Sequence, residues 1–150
     1  MKTPADSLTE FLINKSYFKI KMHPIASNHF KIISKINGVK GIFILDTGAS
    51  TTFVDLKLEG KFKLTTESST IKAHGAGRDK IDTLLSKKNT LSIGGWIKKR
   101  FPISLIDLSY VNDAFESIDA PAVDGIIGAD ILKKGFAVID YEKRYLYLKH

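Results

Sequence analysis

Asp46, Thr47 and Gly48 follow directly on the apolar run Ile42-Phe43-Ile44-Leu45. A carboxylate at the mouth of a hydrophobic strand can take or give a proton in general acid–base chemistry. It can also do no more than shape an Asx-type turn, because Asp and Gly are common turn residues. Two features raise the chemical reading. The residues after Gly48 are small (Ala49, Ser50 and Thr51), so another group can approach this loop closely. A second glycine segment, Ile126-Ile127-Gly128, lies far downstream, again with two apolar residues before its glycine. Amide hydrolysis without a metal or a covalent intermediate needs a base to deprotonate water. It also needs an acid to protonate the carbonyl oxygen and later the amine. Two carboxyl groups sharing one proton do both, since like charges about 3 Å apart cannot both ionise. Such a pair titrates as a unit. The Asp-x-Gly pattern occurs once in this chain, at Asp46. Asp124 and Asp130 lie near Ile126-Ile127-Gly128, but neither ends an apolar strand as Asp46 does. One chain therefore offers one acid in this setting.

The elements that must position Asp46 show mainly a period of two. Tyr17, Lys19 and Lys21 alternate with Phe18, Ile20 and Met22, as on a half-buried strand. His29–Ile36 and Val39–Leu45 flank Asn37-Gly38, a strong tight-turn signal, so residues 29–45 form a hairpin whose second arm delivers Asp46. Phe53–Leu58 is a short strand or a helical turn. Thr65–Ala73 and Lys80–Leu85 flank His74-Gly75-Ala76-Gly77-Arg78-Asp79, a second hairpin with a glycine-rich tip. Thr90–Ile93 and Trp96–Asp107 meet at Gly94-Gly95 in a third, and Trp96 reads as core. Tyr110–Ala122 is a loop or short helix. Val123–Lys134 runs from a strand into a short helix that stops at Gly135, a usual C-terminal place for glycine. Phe136–Asp140 and Tyr145–Leu148 close the chain as strands. Many short strands, several hairpins and one short C-terminal helix predict an all-β closed barrel or sandwich. There is no βαβ alternation. The Gly75-Ala76-Gly77 tip leads into charged residues and a strand, whereas a phosphate loop leads into a helix. Residues 1–15 read as an N-terminal arm without committed structure and residues 16–150 as one domain, a suitable size for one core.

Ile44-Leu45-Asp46-Thr47-Gly48-Ala49, a glycine-tipped hairpin after it, and Gly125-Ile126-Ile127-Gly128-Ala129-Asp130-Ile131-Leu132 stand in one order along the chain. This combination resembles the retropepsin-like aspartic proteases, and the likeness runs from about Phe18 to Leu148. It implies a retropepsin-like barrel and an aspartic endopeptidase acting on a peptide or protein substrate, with no cofactor and no metal. Because one chain holds one Asp-x-Gly, it implies a two-fold homodimer in which Asp46 meets its twin. By the resemblance, Thr47 hydrogen-bonds across the dimer axis, and Gly48 brings a backbone N–H close to the carboxylates. Ala49, the tip residues His74, Gly75, Ala76 and Gly77, and Ile126 and Ile127 stand as substrate-binding candidates. Ile126 and Ile127 are core residues on either view, and the tip is a flap or an ordinary hairpin end. Some relatives have serine where Ala49 stands. Without that hydroxyl, activity is expected to peak at mild rather than strong acidity. Tyr145–Leu148 would either join a sheet shared by two subunits or pack within one. The alternative function is a binding or dimerisation module that keeps the fold without turnover.

Composition narrows the field further. The net charge is +7, from 23 Lys and Arg against 16 Asp and Glu, but these are spread along the chain and read as a solvated face. The aromatic and basic interleaving of single-strand binders is missing, so no nucleic-acid partner is expected. There is no cysteine, hence no disulfide or thiolate chemistry. His23, His29, His74 and His150 show no zinc-ligand spacing. No run approaches the roughly 18–20 apolar residues that span a bilayer. The start, MKTPADSLTEFLINK, lacks a secretory signal's apolar stretch, the pattern of a cytoplasmic chain if nothing precedes it.

Overall fold

Proline is tolerated in a helix's first turn, where its missing N–H has no partner in any case. Pro4 begins helix α1, Pro4–Asn14, in the computed structural model, which describes residues 4–73 and 81–150. The N-terminal arm expected to be uncommitted is thus largely helical. Its packing is thin: Leu12 is buried and Thr9 shares a 2.7 Å hydrogen bond with the Tyr147 hydroxyl, while Leu8 and Phe11 stay exposed. That weak apolar stripe is why the helical period was hard to see.

Alternation then sets the strands: β1 (Phe18–Lys21), β2 (His23–Pro24), β3 (Phe30–Ile36) and β4 (Val39–Leu45). Asn37 and Gly38 both have positive φ, 51° and 82°, as the two-residue turn between β3 and β4 requires. Next come β5 (Phe53–Asp55), a 3-10 turn at Leu56–Leu58, β6 (Glu67–Ala73), β7 (Ile81–Ile93) and β8 (Trp96–Ile106). Helix α2 (Ser109–Glu116), β9 (Gly125–Ile127), α3 (Ala129–Lys134), β10 (Val138–Asp140) and β11 (Tyr145–Leu148) complete the chain.

Eight strands form one sheet in the order β2-β3-β4-β9-β5-β8-β7-β6, and a further pairing of β3 with β7 closes six of them into a barrel. Ile32, Phe43, Val54, Leu91, Ile103, Leu105 and Ile127 fill it with no exposed surface. A second sheet, β1-β11-β10, carries the chain ends. Since β11 lies between β1 and β10, both its edges are bonded within the chain. Of the two places open to Tyr145–Leu148, it takes the one inside a single chain. Trp96 is fully buried, and its indole N–H donates to the Lys149 carbonyl at 3.0 Å.

The Ser86-Lys87-Lys88-Asn89 stretch reads as a break, yet β7 runs through it. The register to β8 shifts there, and the buried Asn89 amide donates to the carbonyls of Ser86 and Phe101, at 2.9 and 3.2 Å. A side chain replaces the backbone bonds that the bulge loses.

The feature that positions Asp46 is the path of β9. It runs parallel to β4, with Ile44 beside Ile126, and antiparallel to β5, with Val54 beside Gly125. Strands β4 and β5 are neighbours in sequence, so the loop between them must pass around the end of β9. A Cβ at Gly125 would lie 2.3 Å from the Phe53 carbonyl oxygen and 2.6 Å from the Phe43 ring. Gly125→Ala should therefore destabilise the fold by about 1–3 kcal/mol through overpacking, read as a lower urea midpoint with an unchanged slope. Parent-like stability would mean that β9 sits looser than this geometry allows.

Candidate active site

Phe43 and Leu45 point into the barrel, and Ile44 points to the opposite face of β4, where it is covered by other residues. The Asp46 N–H still donates to the Ile127 carbonyl at 3.0 Å, so the ladder to β9 extends one bond beyond the strand. The chain then turns sharply. The Gly48 N–H donates to Asp46 Oδ1 at 2.9 Å, and the Ala49 N–H to the Asp46 carbonyl at 3.2 Å. One carboxylate oxygen is thereby fixed in orientation. Asp46 is half-buried, while Thr47 and Gly48 are exposed at the tip.

The base of this loop is clamped to the β9–α3 junction. The Ala129 N–H donates to the Ala49 carbonyl at 2.7 Å. Thr52 is fully buried. Its hydroxyl donates to Asp130 Oδ1 at 2.7 Å and accepts from the Gly128 N–H at 3.0 Å. The Thr52 N–H donates to Asp130 Oδ2 at 3.0 Å, and the Ile131 N–H to Oδ1 at 2.8 Å. A Cβ at Gly128 would lie 2.7 Å from the carbonyl oxygens of both Ala49 and Thr51, so the two segments cross where only glycine fits. The arrangement holds a carboxylate rigidly at the surface, as proton transfer between positioned groups requires.

Asp46, Thr47, Gly48 and Ala49 are thus brought together with Ile126, Ile127 and Gly128. Ile127 has no exposed surface and belongs to the barrel core, so it has none to offer a ligand. Ile126 is half-buried on the other face of the sheet. His74, Gly75, Ala76 and Gly77 lie outside the described residues. Among the described residues no group of three or more His, Asp or Glu is placed to hold a metal ion. A cavity of about 350 Å³ at the root of β6 and β7, lined by Lys63, Glu67 and Asn89 among others, contains none of the candidate residues.

Sequence reasoning passed over Thr52, and it weighed Asp124 and Asp130 only as a possible second acid, not for the structural roles they have. Asp124 Oδ2 accepts from the Ile42 N–H at 2.8 Å and from Lys61 Nζ at 3.3 Å, fixing the start of β9 against β4. Asp130 sits in the first turn of α3, an ordinary place for an acid, so its sequence signal was ambiguous.

A family model described as aspartyl protease matches residues 32–131. No curated protein matches the chain. Among solved structures, the chain is similar to the EIAV protease complexed with an inhibitor, at 21% identity and TM-score 0.54, over 72% of this chain and 88% of that one. It is also similar to a retropepsin-like aspartic protease from Rickettsia conorii, at 21% identity and TM-score 0.53, over 88% and 89% of the two chains. A retroviral protease-like domain of Ddi1 from Leishmania major aligns at 20% identity and TM-score 0.53, over 79% and 86%. The barrel described above is retropepsin-like.

Removing the clamp should loosen the loop. Asp130→Ala is expected to lower stability by about 2–3 kcal/mol, because charge-assisted bonds are lost and buried Thr52 is left short of a partner. Thr52→Val should cost less, and the double variant less than the two losses combined, since both act through one network. Strict additivity in urea denaturation would show that the two residues act separately.

Proposed function

The chain belongs to the aspartyl protease family, and from that premise we propose that it is an endopeptidase in which two copies each contribute Asp46. The observation that carries this reading is Asp46 itself. It is a lone acid at the end of a core strand, with one oxygen held by the Gly48 N–H and its loop clamped from behind. The segment that pairs with it, Ile126-Ile127-Gly128, holds no acid. The second carboxylate then has to come from another copy across a two-fold axis, where Thr47 at the exposed tip would meet its equivalent.

In the proposed reaction the ionised Asp46 takes a proton from water, and the oxygen attacks the scissile carbonyl carbon. The protonated Asp46 of the other copy gives its proton to the carbonyl oxygen. Collapse of the tetrahedral intermediate breaks the C–N bond, and a carboxyl proton passes to the leaving amine. Neither metal nor cofactor is required. Gly48 and the clamp preorganise the pair, so little reorganisation is left for the transition state. The substrate would lie extended, paired with backbone like an added strand. Strands β6 and β7 lead to residues 74–80, and His74, Gly75, Ala76 and Gly77 are proposed to close over it.

Asp46→Asn should lower kcat by at least about 10²-fold while leaving the unfolding midpoint nearly unchanged. An Asn variant that cleaves peptides like its parent would end the protease reading in favour of a fold retained for binding. Specific activity should rise with protein concentration, in step with dimer mass by sedimentation. Full activity from a species of monomer mass would exclude the shared pair. The pH profile should be bell-shaped with its maximum at mild acidity, because Ala49 offers the carboxylates no hydroxyl; a maximum near strong acidity would contradict this.

A further inference from the structure

Strands β6 and β7 pair as far as Glu67 and Leu85. Beyond that rung the two segments part. Residues 63–66 precede β6 and lie outside any strand, while β7 runs on through its bulge. On β8, Ile103 partners Ser86 and Phe101 partners Asn89, so Lys87 and Lys88 together stand opposite Pro102 alone. Proline has no N–H to give a ladder, and a bulge is where a sheet tolerates it. The parting leaves the cavity of about 350 Å³, with Lys63 and Thr65 from one segment and Lys87 and Lys88 from the other.

The floor of this recess is fixed. Ser86 and Asn89 are buried, and the Asn89 amide is spent on the carbonyls of Ser86 and Phe101. Asn37 fastens the floor to the near wall. Its side-chain amide donates to Asn89 Oδ1 at 3.0 Å and to the Phe62 carbonyl at 2.9 Å, and its Oδ1 accepts from the Thr90 N–H at 3.0 Å. Lys63 sits at φ 55°, in the left-handed region, exposed between the buried Phe62 and Leu64. The recess is therefore preformed, and its volume is that of a small-molecule site.

Its charge is unbalanced. Three lysines and one glutamate line it, and Lys87 takes that glutamate, Glu67, at 2.8 Å. Among the described residues no carboxylate pairs with Lys63 or Lys88. The Thr66 hydroxyl donates to Glu59 at 2.7 Å, which occupies the nearest acid in sequence to Lys63.

We infer that this recess binds a small phosphate ester, with Lys63 and Lys88 holding the phosphate and Thr65 beside them. Lysine serves phosphate as a point charge, whereas planar, two-pronged recognition of a carboxylate favours arginine. Among the described residues neither an arginine nor an aromatic ring lines the recess, so a nucleotide base would find nothing to stack on. The ligand class is accordingly a phosphorylated molecule of about sugar size. The site stands apart from the Asp46 loop and does not depend on the protease reading.

Amide NMR shifts of the full chain, at constant ionic strength set with chloride, test this. Titration with glucose 6-phosphate should shift the amides of Thr65, Thr66, Lys87, Lys88 and Asn89 along one saturable curve, and glucose should shift none of them. Lys63→Gln and Lys88→Gln are exposed changes that should leave the unfolding midpoint nearly unchanged and weaken Kd about tenfold each. Glu67→Gln should tighten Kd about threefold, because it removes the one negative charge and releases Lys87. Absent or non-saturating shifts would overturn the site. Equal shifts at Lys143 and Arg144, in the turn between β10 and β11, would reduce the effect to general charge attraction and also overturn it. Saturable shifts that both lysine variants leave unchanged would do the same. A phosphoserine tripeptide that saturates these amides where glucose 6-phosphate does not would give the recess to a protein partner and end the small-molecule assignment.

Discussion

Two carbonyl oxygens, of Ala49 and Thr51, come within 2.7 Å of where a Cβ of residue 128 would be, and glycine there leaves the space open. On this contact rests the passage of the Asp46 loop around the end of β9. The loop joins β4 to β5, and β9 has to lie between those strands and bond to both. The crossing brings backbone polar groups into the interior, where each needs a partner. Thr52 and Asp130 supply those partners, and one carboxylate thereby holds three donors drawn from both sides of the crossing. The rigidity of the Asp46 turn is a consequence of this packing behind it, more than of the turn residues themselves.

How far the sequence revealed this depends on how local each cause is. The β3–β4 hairpin was legible because alternation and an Asn-Gly turn act over a few residues, and both recur in the structure with positive φ at Asn37 and Gly38. The Asp46 motif was legible for the same reason. Helix α1 was not, since its stability comes from docking Leu12 and Thr9 onto a sheet whose other strands lie at the far end of the chain. The continuity of β7 was hidden because Ser86-Lys87-Lys88-Asn89 has the composition of a turn, and only the buried Asn89 side chain shows why the strand survives. Thr52 and Asp130 are 78 residues apart, and nothing in either neighbourhood announces the other. Their pairing is a property of topology, which a reading of local patterns does not reach.

Two apolar clusters divide the protein along a line that matters for its chemistry. The larger fills the barrel and includes Leu45, Val54 and Ile127, the strands that fix the Asp46 loop in place. The smaller lies on the opposite face of the same sheet and includes Ile44 and Phe115. Because successive residues of β4 serve different clusters, one can be rearranged without unpacking the other.

If Asp46 is half of a shared pair, as proposed, two physical demands conflict. Its acid has to remain accessible, since the proposed twin must approach it, and the ground beside that acid has to be apolar to hold a peptide side chain. Accessible apolar ground beside a pairing face invites unselective association. Burying Ile44 under Phe115 removes that surface from water while leaving Thr47 and Gly48 exposed. The two demands then fall on different faces of the same strand end: the tip of the loop stays exposed, and the apolar strip beneath it is covered within the chain.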